Sequence, residues 1–300
     1  MPIYLPQDGV YLHLGAHRTG TGSFQEFLAS NADNFADFGV NLAVANRDGA
    51  SEGSFKLRLP DARHFRKDDL DERREWLNLA FEECRINHRA RTLVSEENIP
   101  GSFNSIFSEH PYGAAFDRMQ FFQSGLTGKV RRALFVVRSY DTFLPSAYRK
   151  RCEFRKIAPF VEYAADQMKA DRGWPELIDD IRNAFSPEEL VVLTYEDRWS
   201  HIEMLQHLMP ETEQVDFAPL TRRFNVSATD AACRAMQAHF ASGKKLSPAG
   251  LAQMIRNYAD DTSGPPIAAF ADKDAEILQS RYADDIARIA KMSGVTLIRR

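Results

Sequence analysis

The sequence predicts an α/β fold, in which a central parallel sheet of about five strands is flanked by helices and followed by a C-terminal helical extension. Short apolar runs alternate with helical patterns over the first two-thirds of the 300 residues, which is typical of a parallel sheet covered by helices. One run, residues 133–137, is apolar throughout, as expected for a strand that is covered on both faces. No strand pattern follows residue 210. We therefore expect one domain over residues 1–300, with an α/β core in residues 1–210 and a helical extension in residues 211–300.

The individual elements are predicted from apolar periodicity. Strands are expected at the short apolar runs, which are residues 10–14, 40–44, 91–95, 133–137 and 190–194. Helices are expected where apolar residues recur every three or four positions, at residues 23–38, 69–88, 112–126, 141–155, 160–169, 175–184, 228–240 and 272–290. Residues 45–67 have no clear period and are predicted to form a loop, and a stretch with Pro and Gly at residues 247–266 separates the last two helices.

The composition is that of a soluble globular protein, with 44% hydrophobic and 27% charged residues. A formal net charge of −4 does not favour nucleic acid as a partner, because proteins that wrap DNA or RNA are usually basic. The N-terminus lacks the basic start and apolar stretch of a signal peptide, and no run is long enough to span a bilayer. We therefore expect a cytoplasmic protein without a membrane span. The sequence does not predict its oligomeric state.

The cysteines do not indicate a disulfide framework or a metal site. The three cysteines are far apart and form no CxxC pair, so neither paired disulfides nor a zinc ribbon is predicted. Cys84 and His88 are one helical turn apart, but two ligands are too few for a metal site. No metal is therefore expected.

The loop that follows the first predicted strand has the composition of an anion-binding site. Its glycines allow tight turns and a close approach of the backbone to a ligand. The N–H groups at the start of the next helix have no internal partner and carry partial positive charge, and Arg18 adds a full charge. Phosphate or sulfate is therefore the expected ligand. The residues expected to hold it are Arg18, Thr19, Gly20, Thr21, Gly22 and Ser23.

Two common nucleotide-binding motifs are excluded at this loop. It is not a Walker A motif, because Gly20 is followed by Thr21 and Gly22 rather than by Lys and Ser or Thr. A dinucleotide-binding G-x-G-x-x-G is also absent. Neither an ATP site nor an NAD site is therefore favoured.

Residues 13–25, HLGAHRTGTGSFQ, resemble the 5′-phosphosulfate loop of bacterial-type sulfotransferases that use 3′-phosphoadenosine 5′-phosphosulfate (PAPS). The family pattern is roughly H-x-G-x-x-K-T-G-T-T-S-x-Q, so Arg18 stands where the family usually has Lys and Gly22 where it usually has Thr. A second block resembles the family's 3′-phosphate motif, with Arg138 at a strand end and Ser146 eight residues later. Weaker similarity covers the Y-E-D segment that begins at Tyr195 and residues 222–227.

The resemblance implies a three-layer P-loop-like fold and transfer of a sulfuryl group from PAPS to a hydroxyl or amine, leaving 3′-phosphoadenosine 5′-phosphate (PAP). Arg18 would lie near the bridging oxygen, and the loop would hold the 5′-phosphate. Arg138 and Ser146 would hold the 3′-phosphate, and Tyr195 would contribute to donor binding. The reaction would require no metal. The acceptor would be a small molecule or a glycan-like carbohydrate, which the basic helix after Ser146 could attract.

Several residues could accept the proton of the acceptor group. Members of the family place a His or Glu base near the end of the third strand, which predicts Glu97 first and Glu96 second. Adjacent residues at a strand end face opposite ways, so at most one of them should point into the site. His17 and His13 are rivals, although a histidine within a strand is more often part of the core.

Two other functions stay open. A nucleotide-dependent kinase would need a divergent P-loop and acidic Mg²⁺ ligands, which the sequence does not place. A non-catalytic relative that binds PAP or another anion is compatible with the changes at Arg18 and Gly22, because the planar guanidinium of Arg does not simply replace the point charge of Lys.

Overall fold

One parallel sheet forms the centre of the fold. The structure, a computed structural model, describes residues 7–45, 55–67, 69–108, 110–221 and 228–300. The strands within these ranges are β1 (Gly9–His13), β2 (Asn41–Val44), β3 (Arg91–Ser95), β4 (Val130–Val137), β5 (Glu189–Thr194) and β6 (Val295–Ile298). They pair in the order β2-β3-β1-β4-β5-β6, and every pairing is parallel.

Twelve α-helices in the described ranges complete a three-layer α/β fold, which confirms the predicted fold class. They are α1 (Thr21–Ser30), α2 (Ala32–Asp37), α3 (Ala62–Lys67), α4 (Asp71–Glu83), α5 (Ala115–Gln123), α6 (Tyr140–Cys152), α7 (Phe160–Gln167), α8 (Trp174–Phe185), α9 (His201–Leu208), α10 (Asp230–Ala241), α11 (Pro248–Asn257) and α12 (Asp272–Ile289). Among the residues that the structure describes, no helix is long and apolar enough to cross a membrane.

The chain forms two compact units. The first contains the whole sheet and comprises Met1–Arg138, Arg172–Asn225 and Asp285–Arg300. The second comprises Ser139–Asp171 and Val226–Asp284, and its described elements are helices. Single-domain organisation over the whole chain stays a prediction.

The core of the first unit fixes the position of α1. Helix α1 buries Phe24, Phe27 and Leu28 completely against side chains of the sheet and of α9. Burial of each such side chain is worth roughly 2 kcal/mol. The loop between β1 and α1 is therefore anchored at both ends by buried elements.

The single helix predicted over residues 23–38 is wrong, because Asn31 divides it into α1 and α2. Asn31 is buried, and its amide donates to the Phe27 carbonyl at 2.9 Å and to the Ala218 carbonyl at 3.0 Å. Its amide oxygen accepts the N–H of Ala218 at 2.8 Å. The interruption between α1 and α2 thus lets Asn31 form hydrogen bonds with the main chain of Ala218, which is distant in sequence.

Four elements were not predicted. One is α9, although Ser200 caps it by accepting the N–H of Glu203 at 3.2 Å. Residues 62–67 form the short helix α3 where a loop was expected, and α11 lies in the stretch expected only to separate two helices. Ser247 caps α11 by accepting the N–H of Gly250 at 3.1 Å, and Pro248 begins the helix, so a start signal was present in the sequence. The expectation of no strand after residue 210 is also wrong, because β6 adds a sixth strand beside β5.

Candidate functional site

The candidate site lies at the carboxyl edge of the sheet. β1 is flanked by β3 and β4, and the chain completes one side of the sheet before it builds the other. In parallel sheets, ligands bind outside the carboxyl ends of the strands where the strand order reverses in this way. Strands β1, β3, β4 and β5 end at this edge, and the segments that follow them carry every predicted site residue except Ser146.

Gly15 joins β1 to the loop in a conformation that favours glycine. Its φ is +65°, and a Cβ there would come within 2.6 Å of the Thr21 hydroxyl oxygen and 3.1 Å of the Cβ of Glu97. The loop therefore turns tightly against both the start of α1 and the segment after β3. This close approach places Glu97 beside the loop.

The two loop threonines stabilise the loop itself. Both are buried, and their hydroxyls donate to the Ala16 carbonyl, at 2.6 Å from Thr19 and 3.0 Å from Thr21. The N–H of Ala16 donates in turn to Oγ1 of Thr19 at 3.3 Å. Thr19 and Thr21 are among the residues predicted to hold the ligand, and in this structure their hydroxyl protons hold the shape of the loop.

The start of α1 leaves N–H groups for a ligand. No side chain caps this helix, and its first flanking residue, Gly20, has a φ of 90°. The Gly20 carbonyl accepts the N–H groups of Ser23 and Phe24, both at 3.1 Å. The N–H groups of Thr21 and Gly22 precede the first intrahelical bonds, and together with the helix dipole they favour an anion.

His201 contacts the loop although no motif in the sequence includes it. Its Nε2 lies 3.1 Å from Oγ of Ser23, whose hydroxyl donates to the Gly20 carbonyl at 2.7 Å. Because that bond uses the only hydroxyl proton of Ser23, Nε2 of His201 is the donor. Burial lowers the pKa of His201, and its ring stacks on Phe27 with centroids 5.6 Å apart. His201 therefore orients Ser23 as a neutral group.

Arg18, Arg138 and Tyr195 lie together at this edge. Nη1 of Arg138 donates to the main-chain oxygen of Arg18 at 2.8 Å, and its guanidinium carbon lies 4.3 Å from the centroid of the Tyr195 ring. Nε1 of Trp174 donates to the main-chain oxygen of Arg138 at 2.8 Å. The main chain of Arg138, at the end of β4, is thus fixed by Trp174. The guanidinium of Arg138 packs on the ring of Tyr195.

Positive charge is concentrated around Arg138. Burial lowers the pKa of Arg138, and the nearby guanidinium groups of Arg18 and Arg198 lower it further, whereas Tyr195 and Glu196 act in the opposite direction. The three cations Arg18, Arg138 and Arg198 therefore lie in the same region as the carboxylate of Glu196. An arrangement of this kind favours an anionic ligand.

Backbone strain is also concentrated here. Five non-glycine residues in the described ranges have a positive φ, and Arg18 at 66°, Tyr112 at 56° and Arg198 at 54° all belong to the site or its surroundings. Such conformations cost about 1 kcal/mol or more each, and they cluster at functional sites. Their position here supports a role for this edge in binding or catalysis.

The two acids after β3 have different surroundings. Glu96 is buried and accepts the N–H of Asn98 at 2.7 Å. Its charge raises the pKa of Arg118. Glu97 is half-buried and lies against Gly15. Glu97 is therefore the acid beside the loop, and its role as a base stays a prediction.

His17 is held in a buried network. Its Nδ1 lies 3.1 Å from the Tyr112 hydroxyl and its Nε2 lies 3.1 Å from the amide oxygen of Asn98. The amide oxygen can only accept, so Nε2 carries the proton and Nδ1 accepts from Tyr112. Both ring nitrogens are engaged, which indicates a structural role rather than that of a base. Tyr112 and Asn98 were not predicted, because they lie 95 and 81 residues from His17.

His13 belongs to the core rather than to the open edge. It is fully buried, its Nδ1 lies 2.7 Å from Oγ of Ser95, and its ring meets Phe24 edge to face with centroids 4.6 Å apart. Burial lowers the pKa of His13 to about 3. A neutral core histidine of this kind does not face an acceptor.

The remaining predicted residues lie elsewhere. Ser146 is half-buried on α6 in the second unit, and its role in a 3′-phosphate site stays a prediction. On the basic helix α6, Arg149 lies 3.6 Å from Asp230 and Lys150 lies 2.6 Å from Glu153, so these pairs reduce its positive charge. Residues 222–227 lie outside the described ranges.

The described side chains contain no cluster of three or more His, Cys, Asp or Glu residues that could hold a metal ion. Cys84 is buried at the end of α4, and Nε2 of His88 lies 2.8 Å from a carboxylate oxygen of Glu82. Comparison of the chain with protein-family models and with curated proteins finds no match to either. The function is therefore inferred from the geometry of the site and the resemblance of its motifs.

Proposed function

We propose that the protein is a PAPS-dependent sulfotransferase that transfers a sulfuryl group to a hydroxyl or amine of a carbohydrate or glycan-like acceptor. The observation that carries this proposal is the presence of Arg18 and Arg138 beside the uncapped start of α1, at the point where the strand order reverses. Such a site favours a ligand with several negative charges. PAPS has this character, and the loop and Arg138 resemble the motifs that bind it.

The proposed chemistry depends on positioning and charge. The S–O bond to the 5′-phosphate breaks, a bond from sulfur to the acceptor forms, and PAP leaves. Arg18 offsets the charge that builds on the leaving phosphate. The N–H groups of Thr21 and Gly22 hold the 5′-phosphate, while Thr19 keeps the loop in shape through Ala16. Phosphoryl-transfer enzymes act mainly through the same two effects.

Glu97 is the proposed base, because it is the acid that lies against Gly15 at the start of the loop. We expect Glu97→Gln to lower the turnover number by about 100-fold or more, as loss of a general base does, with PAP affinity nearly unchanged. Release of PAP over a panel of hydroxyl and amine acceptors measures this effect. Glu96→Gln is the comparison variant, because Glu96 is buried and bonded to Asn98. Wild-type turnover in Glu97→Gln would remove Glu97 as the base.

Thermal unfolding with PAP, compared with ATP plus Mg²⁺, tests the proposed donor. Ligand at 100 times its Kd adds about 2.7 kcal/mol of stability, and each kcal/mol raises the Tm of a chain of this length by roughly 2 °C or more. We expect a shift of this size with PAP and a smaller one with ATP plus Mg²⁺. Stabilisation by ATP plus Mg²⁺ alone would favour a kinase. A PAP shift without turnover on any acceptor would indicate a non-catalytic PAP-binding protein.

A further inference from the structure

A third arginine, outside the resembling motifs, lies at the proposed donor site. Arg198 is exposed, and its guanidinium carbon lies 4.8 Å from the centroid of the Tyr195 ring. Its Nη1 also donates to the Tyr195 hydroxyl at 3.1 Å. Arg138 lies 4.3 Å from the centroid of the same ring. Two guanidinium groups therefore share one aromatic side chain.

The acids near Arg198 are directed elsewhere. The carboxylate of Asp197, the preceding residue, accepts a hydrogen bond from the Thr194 hydroxyl, and its main-chain oxygen accepts one from Arg300 at 3.3 Å. The carboxylate of Glu196 raises the pKa of Arg138. Arg198 thus contacts the Tyr195 side chain. The guanidinium groups of Arg18, Arg138 and Arg198 outnumber the nearby carboxylates of Glu196 and Asp197.

We propose that Arg198 binds the 3′-phosphate of the donor together with Arg138 and Tyr195, and that it sets the preference for a 3′-phosphorylated nucleotide over a 5′-monophosphate. This inference rests on the proposed function. Guanidinium groups stacked on a ring keep their N–H groups in the plane available for an anion. A phosphate that contacts both Arg138 and Arg198 relieves the repulsion between the two cations and gains charge-assisted hydrogen bonds from both.

Calorimetric titration with PAP and with adenosine 5′-monophosphate (AMP) tests this role. Arg198→Ala removes one charge-assisted interaction, so the Kd for PAP should rise about tenfold. The Kd for AMP, which lacks the 3′-phosphate, should stay within about twofold of the wild-type value. Arg198→Lys should keep part of the PAP affinity through its charge. If Arg198→Ala does not fold, Arg198→Gln replaces it, and it should likewise lose affinity for PAP but not for AMP.

Lys129→Ala is the matched control. Lys129 is 66% exposed and directly precedes β4, so it lies about 30 Å from Arg138 along that strand. Its removal changes the net charge equally and should leave both Kd values unchanged. A second readout is salt: because salt screens exposed charges, PAP affinity should fall less steeply with salt in Arg198→Ala than in the wild type.

The outcomes separate this inference from the proposed function. Wild-type PAP affinity in Arg198→Ala, or an equal loss for PAP and AMP, would overturn the role of Arg198 while leaving the donor site intact. Failure of the wild-type protein to bind PAP would overturn both. A loss confined to PAP supports the inference.

Discussion

Arg118 and Arg138 both belong to the first unit. Arg118 is buried and Arg138 is half-buried, and the two side chains have different neighbours. Arg118 lies on α5 with 6% of its surface exposed, and its guanidinium donates to main-chain oxygens of distant segments. The residues that accept these bonds are Leu59, Pro60 and Asn98. Arg138 is half-buried, donates to the main-chain oxygen of Arg18 and rests on Tyr195.

The two arginines differ in the cations around them. Burial lowers the pKa of Arg118 to about 10, and the nearby acids Asp61 and Glu96 oppose that shift. Burial also lowers the pKa of Arg138, and Tyr195 and Glu196 oppose that shift, but here the neighbouring cations Arg18 and Arg198 add to it. A buried cation that joins chain segments is thus compensated by acceptors and acids, whereas the cations at the open edge are grouped together. The comparison separates Arg118, which joins distant segments of the chain, from Arg138, which lies among other cations at the proposed ligand site.

Arg118→Met should have the largest effect on stability. It removes the donors of three main-chain oxygens, of which those of Leu59 and Pro60 are in buried bonds, and it leaves Glu96 without its neighbouring charge. Breaking a buried charged network costs about 3 kcal/mol, so the free energy of unfolding in urea should fall by about that amount.

Two controls accompany Arg118→Met. Arg118→Lys keeps the charge but not the geometry of the donors, and it should lose less stability. The PAP affinity of the folded protein should not change, because the guanidinium of Arg118 donates to main-chain oxygens of the protein itself. A loss of stability below about 1 kcal/mol would show that Arg118 does not hold these segments.

Arg138→Ala should have the reverse profile. We expect the PAP-dependent stabilisation, about 2.7 kcal/mol at 100 times the wild-type Kd, to disappear. The apo protein should lose only about 1 kcal/mol, because one hydrogen bond to Arg18 is removed. Thermal unfolding with and without PAP measures both quantities, with Lys129→Ala as the charge control. A retained PAP shift, or an apo loss as large as that of Arg118→Met, would remove the distinction between the two arginines.

The sequence predicted that Arg18 and Arg138 lie at the carboxyl edge of the sheet, but it did not predict the structural role of Arg118. Arg138 directly follows an apolar strand pattern, and Arg18 lies in the short loop after another, so a local pattern places both at the carboxyl edge. Arg118 lies within a helix, and its acceptors are 59, 58 and 20 residues away. His201 is likewise 178 residues from Ser23. Contacts of this kind depend on packing, which no local pattern records.

The same limit applies to the fold. The bounds of β3 were predicted as residues 91–95 and are observed as Arg91–Ser95, because a buried strand is a short apolar run bounded by polar residues. The break between α1 and α2 was missed, because its cause is the bond from Asn31 to Ala218, 187 residues away. β6 was missed because its four residues, Val295–Ile298, are only partly buried or exposed and give a weak pattern.

His13 is a buried base like Arg118, but burial is the one influence on its pKa, whereas nearby acids oppose the effect of burial at Arg118. Burial lowers its pKa from 6.5 to about 3. Between these two values the unfolded chain binds a proton that the folded chain does not, so stability is fully present above pH 6.5 and is lost as the pH falls toward 3. From pH 8 to pH 5 this single group should lower the free energy of unfolding by about 2 kcal/mol.

His13→Asn keeps an amide that can bond Ser95 and removes the titrating ring, so its stability should depend less on pH by that amount. The matched control is His88→Asn, at a histidine whose side chain is 55% exposed. Urea titrations of the three proteins at pH 8, 6.5 and 5 measure the difference. Equal pH dependence in His13→Asn and the wild type would mean that His13 takes up its proton in the folded state. The contrast with Arg118, which keeps its charge because acceptors and acids surround it, would then no longer hold.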